Sequence, residues 1–175
     1  DNPDNPYRPK IGIALGAGVA RGWTHIGVLR ALERYGVKPD VIAGTSIGAV
    51  VGGVHAAGHL DALTDWVKSV NRMKMLSHLD LRLSGGGLIS GDKLVAAMRK
   101  DLGDTKIEDL PVRFAAIAAD LVTGHEVWLR RGDLVDGIRA SMSLPGVFPP
   151  VQHNSRWLVD GAIVNPVPVS ACRAL

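Results

Sequence analysis

Twice within its first sixty residues the chain passes from a short apolar stretch, through small residues, into a helix-spaced run. IGIALGAG gives way to WTHIGVLRALERYG, in which Ile26, Leu29, Leu32 and Tyr35 recur at helical spacing and Gly36 stands as a C-terminal stop. VKPDVIAG then leads, past Pro39, into SIGAVVGGVHAAGH, a helix of small residues. Strand, helix, strand, helix with short turns between them leaves few folds open. The strands must lie parallel and the helices must serve as crossovers, which is the pattern of an α/β sheet.

The remainder is less regular. DALTDWVKSVNRM reads as a helix, LSHLDLRLSGGGLIS as a loop with three glycines at residues 85–87, and SGDKLVAAMRKDLG as a helix capped by Ser90. VRFAAIAADL is a buried strand, and VTGHEVWL can return beside it across a Thr123-Gly124 turn. GDLVDGIRASMS is a helix ended by Leu144-Pro145-Gly146; RWLVDGAIVNPVPV is a short strand, an Asp-Gly turn and a proline-rich tail. Residues 1–9 hold three prolines and are expected to form a flexible leader, with residues 10–175 as one domain.

Composition narrows the function classes. Hydrophobic residues make up 46% of the chain, which argues for a packed core. No apolar run is long enough to span a bilayer, and DNPDNPYRPK lacks the apolar region of a signal peptide. A cytoplasmic or peripherally membrane-associated location is expected. The net charge of +3 is carried by no basic block, which argues against a nucleic-acid groove; Lys68, Arg72 and Lys74 read as a solvated helix face. The single cysteine, Cys172, excludes an internal disulfide and a multi-cysteine zinc site. His and carboxylates form no cluster at ligand spacing, so no metal and no cofactor is expected.

The second strand–helix junction reads Gly44-Thr45-Ser46-Ile47-Gly48. G-x-S-x-G arises by chance, but here an apolar strand precedes it and a helix follows, the setting of a nucleophile elbow. Glycines two residues to either side leave room for a turn that lifts the serine hydroxyl clear of the sheet. A serine needs a base. None of His25, His55, His59, His78, His125 and His153 follows an acid near the chain end, so a Ser-Asp-His triad fits poorly. Asp160, in LVDGA, follows an apolar strand and precedes Gly161 and Ala162; an aspartate there is either a base at a sheet edge or a plain turn residue. LGAGVARG places Gly16, Gly18 and Gly22 between a strand and a helix, where backbone N–H groups can cradle an anion or an oxyanion. A dinucleotide loop is the competing reading, though the glycine spacing is one residue too long.

Taken together, LGAGVARG, GTSIG and DGA resemble the oxyanion loop, nucleophile elbow and aspartate motif of the patatin-like phospholipase family. The likeness covers nearly the whole chain, including RASMSLPGVFPPV before the aspartate. It is nearest to the small bacterial RssA-type members and to the catalytic domain of neuropathy target esterase. The resemblance implies a three-layer α/β/α sandwich around a mostly parallel sheet, and a Ser-Asp dyad lipid acyl hydrolase acting on a lipid or lysophospholipid. Ser46 would be the nucleophile and Asp160 the base. Gly16, Ala17 and Gly18 would supply oxyanion N–H groups, with Arg21 and Gly22 completing the loop. Gly44 and Gly48 would flank the elbow. Ala17 stands where many relatives have glycine, and the chain stops just past the Asp motif, where family members continue.

Two other classes remain open: a dinucleotide-binding enzyme, and a lipid-docking regulatory protein with a vestigial site. Residues 85–87 could hinge a lid or form an ordinary loop. Trp23, Trp66, Trp128 and Trp157 could touch a membrane interface or pack inside. For a dyad, the strand RWLV must lie near VIAG, with both ends opening on the same edge of the sheet.

Overall fold

The computed structural model describes residues 9–77 and 91–175. Residues 1–8 of the leader, the Ser90 cap and the glycines at 85–87 lie outside the described residues. Among the described residues, six strands form one sheet: β1 (Gly12–Leu15), β2 (Val41–Thr45), β3 (Arg113–Asp120), β4 (Glu126–Leu129), β5 (Val151–His153) and β6 (Arg156–Asp160). The helices are α1 (Thr24–Arg34), α2 (Ile47–Ala56), α3 (Leu60–Ser77), α4 (Gly91–Leu102), α5 (Leu134–Ser141) and α6 (Val169–Ala174). β1, β2 and β3 are parallel, as crossovers through α1 and through the α2–α4 region require. β4 and β6 run antiparallel to β3, and β5 forms a hairpin with β6.

Period-2 alternation divides the strands between two cores. Ile42, Phe114, Ala116, Ala118 and Leu158 face a large core closed by α1 to α5, with Leu29, Val50, Val54, Leu63, Leu94 and Ile138 among its members. Val41, Ala43, Ala115 and Ile117 face the other way, where Ala171 and Cys172 of α6 pack on them. Helices therefore cover both faces, in three layers. β5 and α6 answer to no signal read in the sequence; the tail expected as irregular folds back as the second layer.

The register on β3 positions the site. β2 occupies one edge of β3 as far as Ile117, where Thr45 sits opposite. β4 occupies the other edge along residues 116–119. β6 pairs with residues 118–120, so the edge left to it is the one that β2 has just vacated. β2 and β6 thus run toward each other along one edge and stop on neighbouring rungs, Thr45 at Ile117 and Asp160 at Ala118. The two strands meet end to end rather than side by side.

Candidate active site

The residue after Thr45 is Ser46, and it turns the chain from β2 into α2 with φ 56° and ψ −122°. Only four non-glycine residues among those described have positive φ. Asn154 and Ser155 make the β5–β6 hairpin turn; the others are Ser46 and Val19, one in each of the two motif loops. Val19 has φ 50°, a costly conformation for a β-branched residue. Backbone strain concentrated in two facing loops points to function.

Glycine at 48 is a steric requirement, because a Cβ would overlap the Leu15 carbonyl at the end of β1. Gly22 is bound in the same way: a Cβ would collide with Ile47, the residue after the elbow serine. The LGAGVARG loop and the GTSIG turn are therefore pressed together, Gly48 against the backbone of Leu15 and Gly16 and Gly22 against the Ile47 side chain. Gly44 lies against Gly48 and Ala49, and Gly161 against the Ile117 carbonyl.

Ser46 Oγ donates to Asp160 Oδ2 at 2.6 Å. Its N–H donates to Ser141 Oγ at 2.9 Å. The other carboxylate oxygen, Oδ1, accepts the Ala162 N–H at 2.8 Å, which orients the carboxyl group. Asp160 is 2% exposed. Burial pushes its pKa above the usual carboxylate range, and the hydrogen bonds from Ser46 and Ala162 pull it back only in part. A buried carboxylate of raised pKa, touching a strained serine, is a base matched to a hydroxyl nucleophile.

The glycine loop is fastened in a way the sequence did not reveal. The peptide between Gly16 and Ala17 is held at both ends: the Gly16 carbonyl accepts His25 Nε2 at 2.8 Å, and the Ala17 N–H donates to the Pro166 carbonyl at 2.9 Å. A carbonyl only accepts, so His25 carries its proton on Nε2. The Ala17 N–H, expected among the oxyanion donors, is thus engaged inside the protein. The N–H groups of Gly18 and of Ile47, the first residue of α2, donate to no acceptor among the described residues. Beyond Gly18 the loop becomes a short 3-10 turn (Val19–Trp23). Arg21 lies exposed in it, and its guanidinium has no hydrogen-bond or ion-pair partner among the described residues.

Residues 165–167 bind the site from behind. Thr45 Oγ1 donates to the Asn165 carbonyl at 2.9 Å, and a Cβ on Gly16 would stand 3.0 Å from the Pro166 carbonyl. Segment 165–167 therefore packs against the glycine loop. The other described histidines take no part: His55 pairs with Glu33, and burial lowers its pKa. Trp23 and Trp66 pack edge to face with ring centroids 6.4 Å apart, Trp128 donates to Glu126, and Trp157 is exposed.

A patatin-like phospholipase family model matches residues 13–173. The chain belongs to the patatin-like phospholipase family. It is 45% identical over 162 residues to an uncharacterized NTE family protein of Mycobacterium tuberculosis, covering 93% of this chain and 45% of that protein. It is 35% identical over 172 residues to lysophospholipase NTE1 of Saccharomyces cerevisiae, covering 94% of this chain and 10% of that one. The chain thus spans less than half the length of these relatives. Among solved structures it is similar in fold to VipD from Legionella pneumophila, with a TM-score of 0.52 at 11% identity, over 92% of this chain and 51% of that one.

Proposed function

We propose that residues 10–175 carry the machinery of a serine acyl hydrolase that cleaves acyl esters of lipids, phospholipid or lysophospholipid, through a Ser-Asp dyad. The observation that carries the reading is the 2.6 Å contact between Ser46 Oγ and the buried Asp160 carboxylate. Asp160 takes the hydroxyl proton as Ser46 attacks the ester carbonyl. The free N–H groups of Gly18 and Ile47 are the candidate oxyanion donors, assisted by the positive end of α2. Asp160 returns the proton to the leaving alcohol, then activates the water that releases the acyl group from Ser46. The yeast relative's name supports the lysophospholipid class.

Contact with a lipid surface belongs to the same reading. No helix among the described residues is long and apolar enough to cross a membrane. The carboxyl end of β3, on the side of the sheet where β2 delivers Ser46, presents Leu121 and Val122 at 50% and 81% exposure. Trp157, exposed beside them, accepts the Leu121 N–H at its carbonyl. Family membership leaves the dinucleotide reading without support. A regulatory protein with a vestigial site is the other reading, and an intact dyad contact stands against it.

Labelling with a fluorophosphonate, with the adduct located by mass spectrometry, tests the assignment. Ser46 should carry the adduct, and Ser46→Ala should abolish both labelling and ester hydrolysis while the protein stays folded. An adduct on another serine, or labelling retained in the variant, removes the dyad.

A further inference from the structure

Two buried serines near the dyad have no part in the reaction above. Ser141, the last residue of α5, is fully buried, and Ser143 is 2% exposed. Ser141 Oγ accepts the Ser46 N–H at 2.9 Å and donates its own proton to the Ile117 carbonyl of β3. Because a hydroxyl has a single proton, the bond to Ile117 turns its lone pairs toward Ser46. Two residues on, the Ser143 carbonyl accepts the Asp160 N–H at 2.9 Å. Ser143 Oγ donates to the Arg139 carbonyl at 2.8 Å, which ties this carbonyl to the end of α5.

One turn of chain therefore holds the backbone amides of both dyad residues, 114 positions apart in sequence. Its third anchor is Ile117, the rung on which β2 ends, next to the rung on which Asp160 pairs. Such an anchor is needed. β2 and β6 meet end to end, so no ladder of hydrogen bonds between them fixes the separation of Ser46 from Asp160. Ser46 also sits at φ 56°, a conformation that a released serine leaves.

We propose that residues 141–143 are a positioning clamp: Ser141 and the Ser143 carbonyl set the Ser46 hydroxyl against Asp160 and hold the elbow in its strained form. The proposal rests on reading Ser46 and Asp160 as the dyad. It assigns no chemistry to Ser141, which acts through Ser46.

The test is Ser141→Ala beside Ile138→Val, a buried change in the same helix that lowers stability without touching the clamp. Three quantities are read: the rate constant for fluorophosphonate labelling at Ser46, kcat and KM on a soluble short-chain ester, and hydrogen exchange at the Ser46 amide. Misplacing a reacting group by about 1 Å costs up to about a hundredfold, so Ser141→Ala should lose roughly 10–100-fold in labelling rate and kcat, with KM little changed. The Ser46 amide should lose its protection, while Ile138→Val keeps wild-type labelling and protection. Wild-type labelling in Ser141→Ala overturns the clamp. Should that variant fail to fold, Ser141→Cys, similar in shape but a poor acceptor, replaces it under the same criteria. If the wild-type protein never labels, the hydrolase reading fails and exchange alone decides. A Ser46 amide protected in the wild type and exposed in Ser141→Ala keeps the clamp; equal protection in both overturns it.

Discussion

Replacing Asp160 by Asn should move activity and stability in opposite directions. The carboxylate is 2% exposed, and burial outweighs its two hydrogen bonds in setting a raised pKa. The charged form is therefore less favourable in the folded protein than in the unfolded chain, where an aspartate titrates near 3.9. For a folded pKa raised above the unfolded one, the associated stability is fully present below about pH 3.9 and is lost as pH rises through the folded pKa. Each pH unit that separates the folded from the unfolded pKa accounts for about 1.4 kcal/mol of that loss. Asn carries no charge at any of these pH values, and its amide can still accept the Ala162 N–H. Asp160→Asn should thus be at least as stable as wild type at pH 8, with the advantage gone by pH 4.

Turnover should collapse in the same variant. Losing a general base costs roughly 10²–10⁴-fold, or about 2.7–5.5 kcal/mol of barrier. In the wild type, kcat/KM should fall with acid through a pKa above the usual carboxylate range, and the variant's residual rate should lack that limb. Thermal unfolding at pH 8 and pH 4, with initial rates on a soluble short-chain ester across pH, reads all of this. The reasoning fails if Asp160→Asn keeps turnover within tenfold of wild type, or if it is destabilised more at pH 8 than at pH 4.

Three further outcomes are expected. Gly48→Ala drives a Cβ into the Leu15 carbonyl and should cost about 3 kcal/mol or more, whereas Gly27→Ala, exposed on α1 with nothing near, should gain about 0.5–1 kcal/mol; urea midpoints check both signs. His25→Gln preserves an N–H for the Gly16 carbonyl and should keep most of the labelling rate, while His25→Leu should lose about tenfold; equal loss in both would mark His25 as a base. Arg21→Ala should leave a neutral short-chain ester unaffected and slow a phospholipid, since the guanidinium is free to meet a phosphate; equal slowing of both would make Arg21 a support of the loop.

What could be read in advance divides along a physical line. GTSIG, DGA and the glycines of LGAGVARG were legible because a strained turn or a close backbone contact restricts the residue that can stand there, as Gly48 against Leu15 shows. The parallel core was legible because β1, α1, β2 and α2 follow one another with short turns and clear periodicity. β5, three residues long, is too short to show a period. The Pro166 carbonyl that takes the Ala17 amide is a backbone atom, which every residue possesses, so nothing in the sequence marks it as a partner. A sequence shows that an amide exists and leaves open where it points. Ser141 was hidden for the opposite reason. In RASMSLPG it looks like one more small residue filling space, and its role exists only because β2 and β6 meet end to end at Ile117 and Ala118. The Ser46–Asp160 pair could be proposed from its motifs; the turn that contacts both residues' amides follows from a register that no motif encodes.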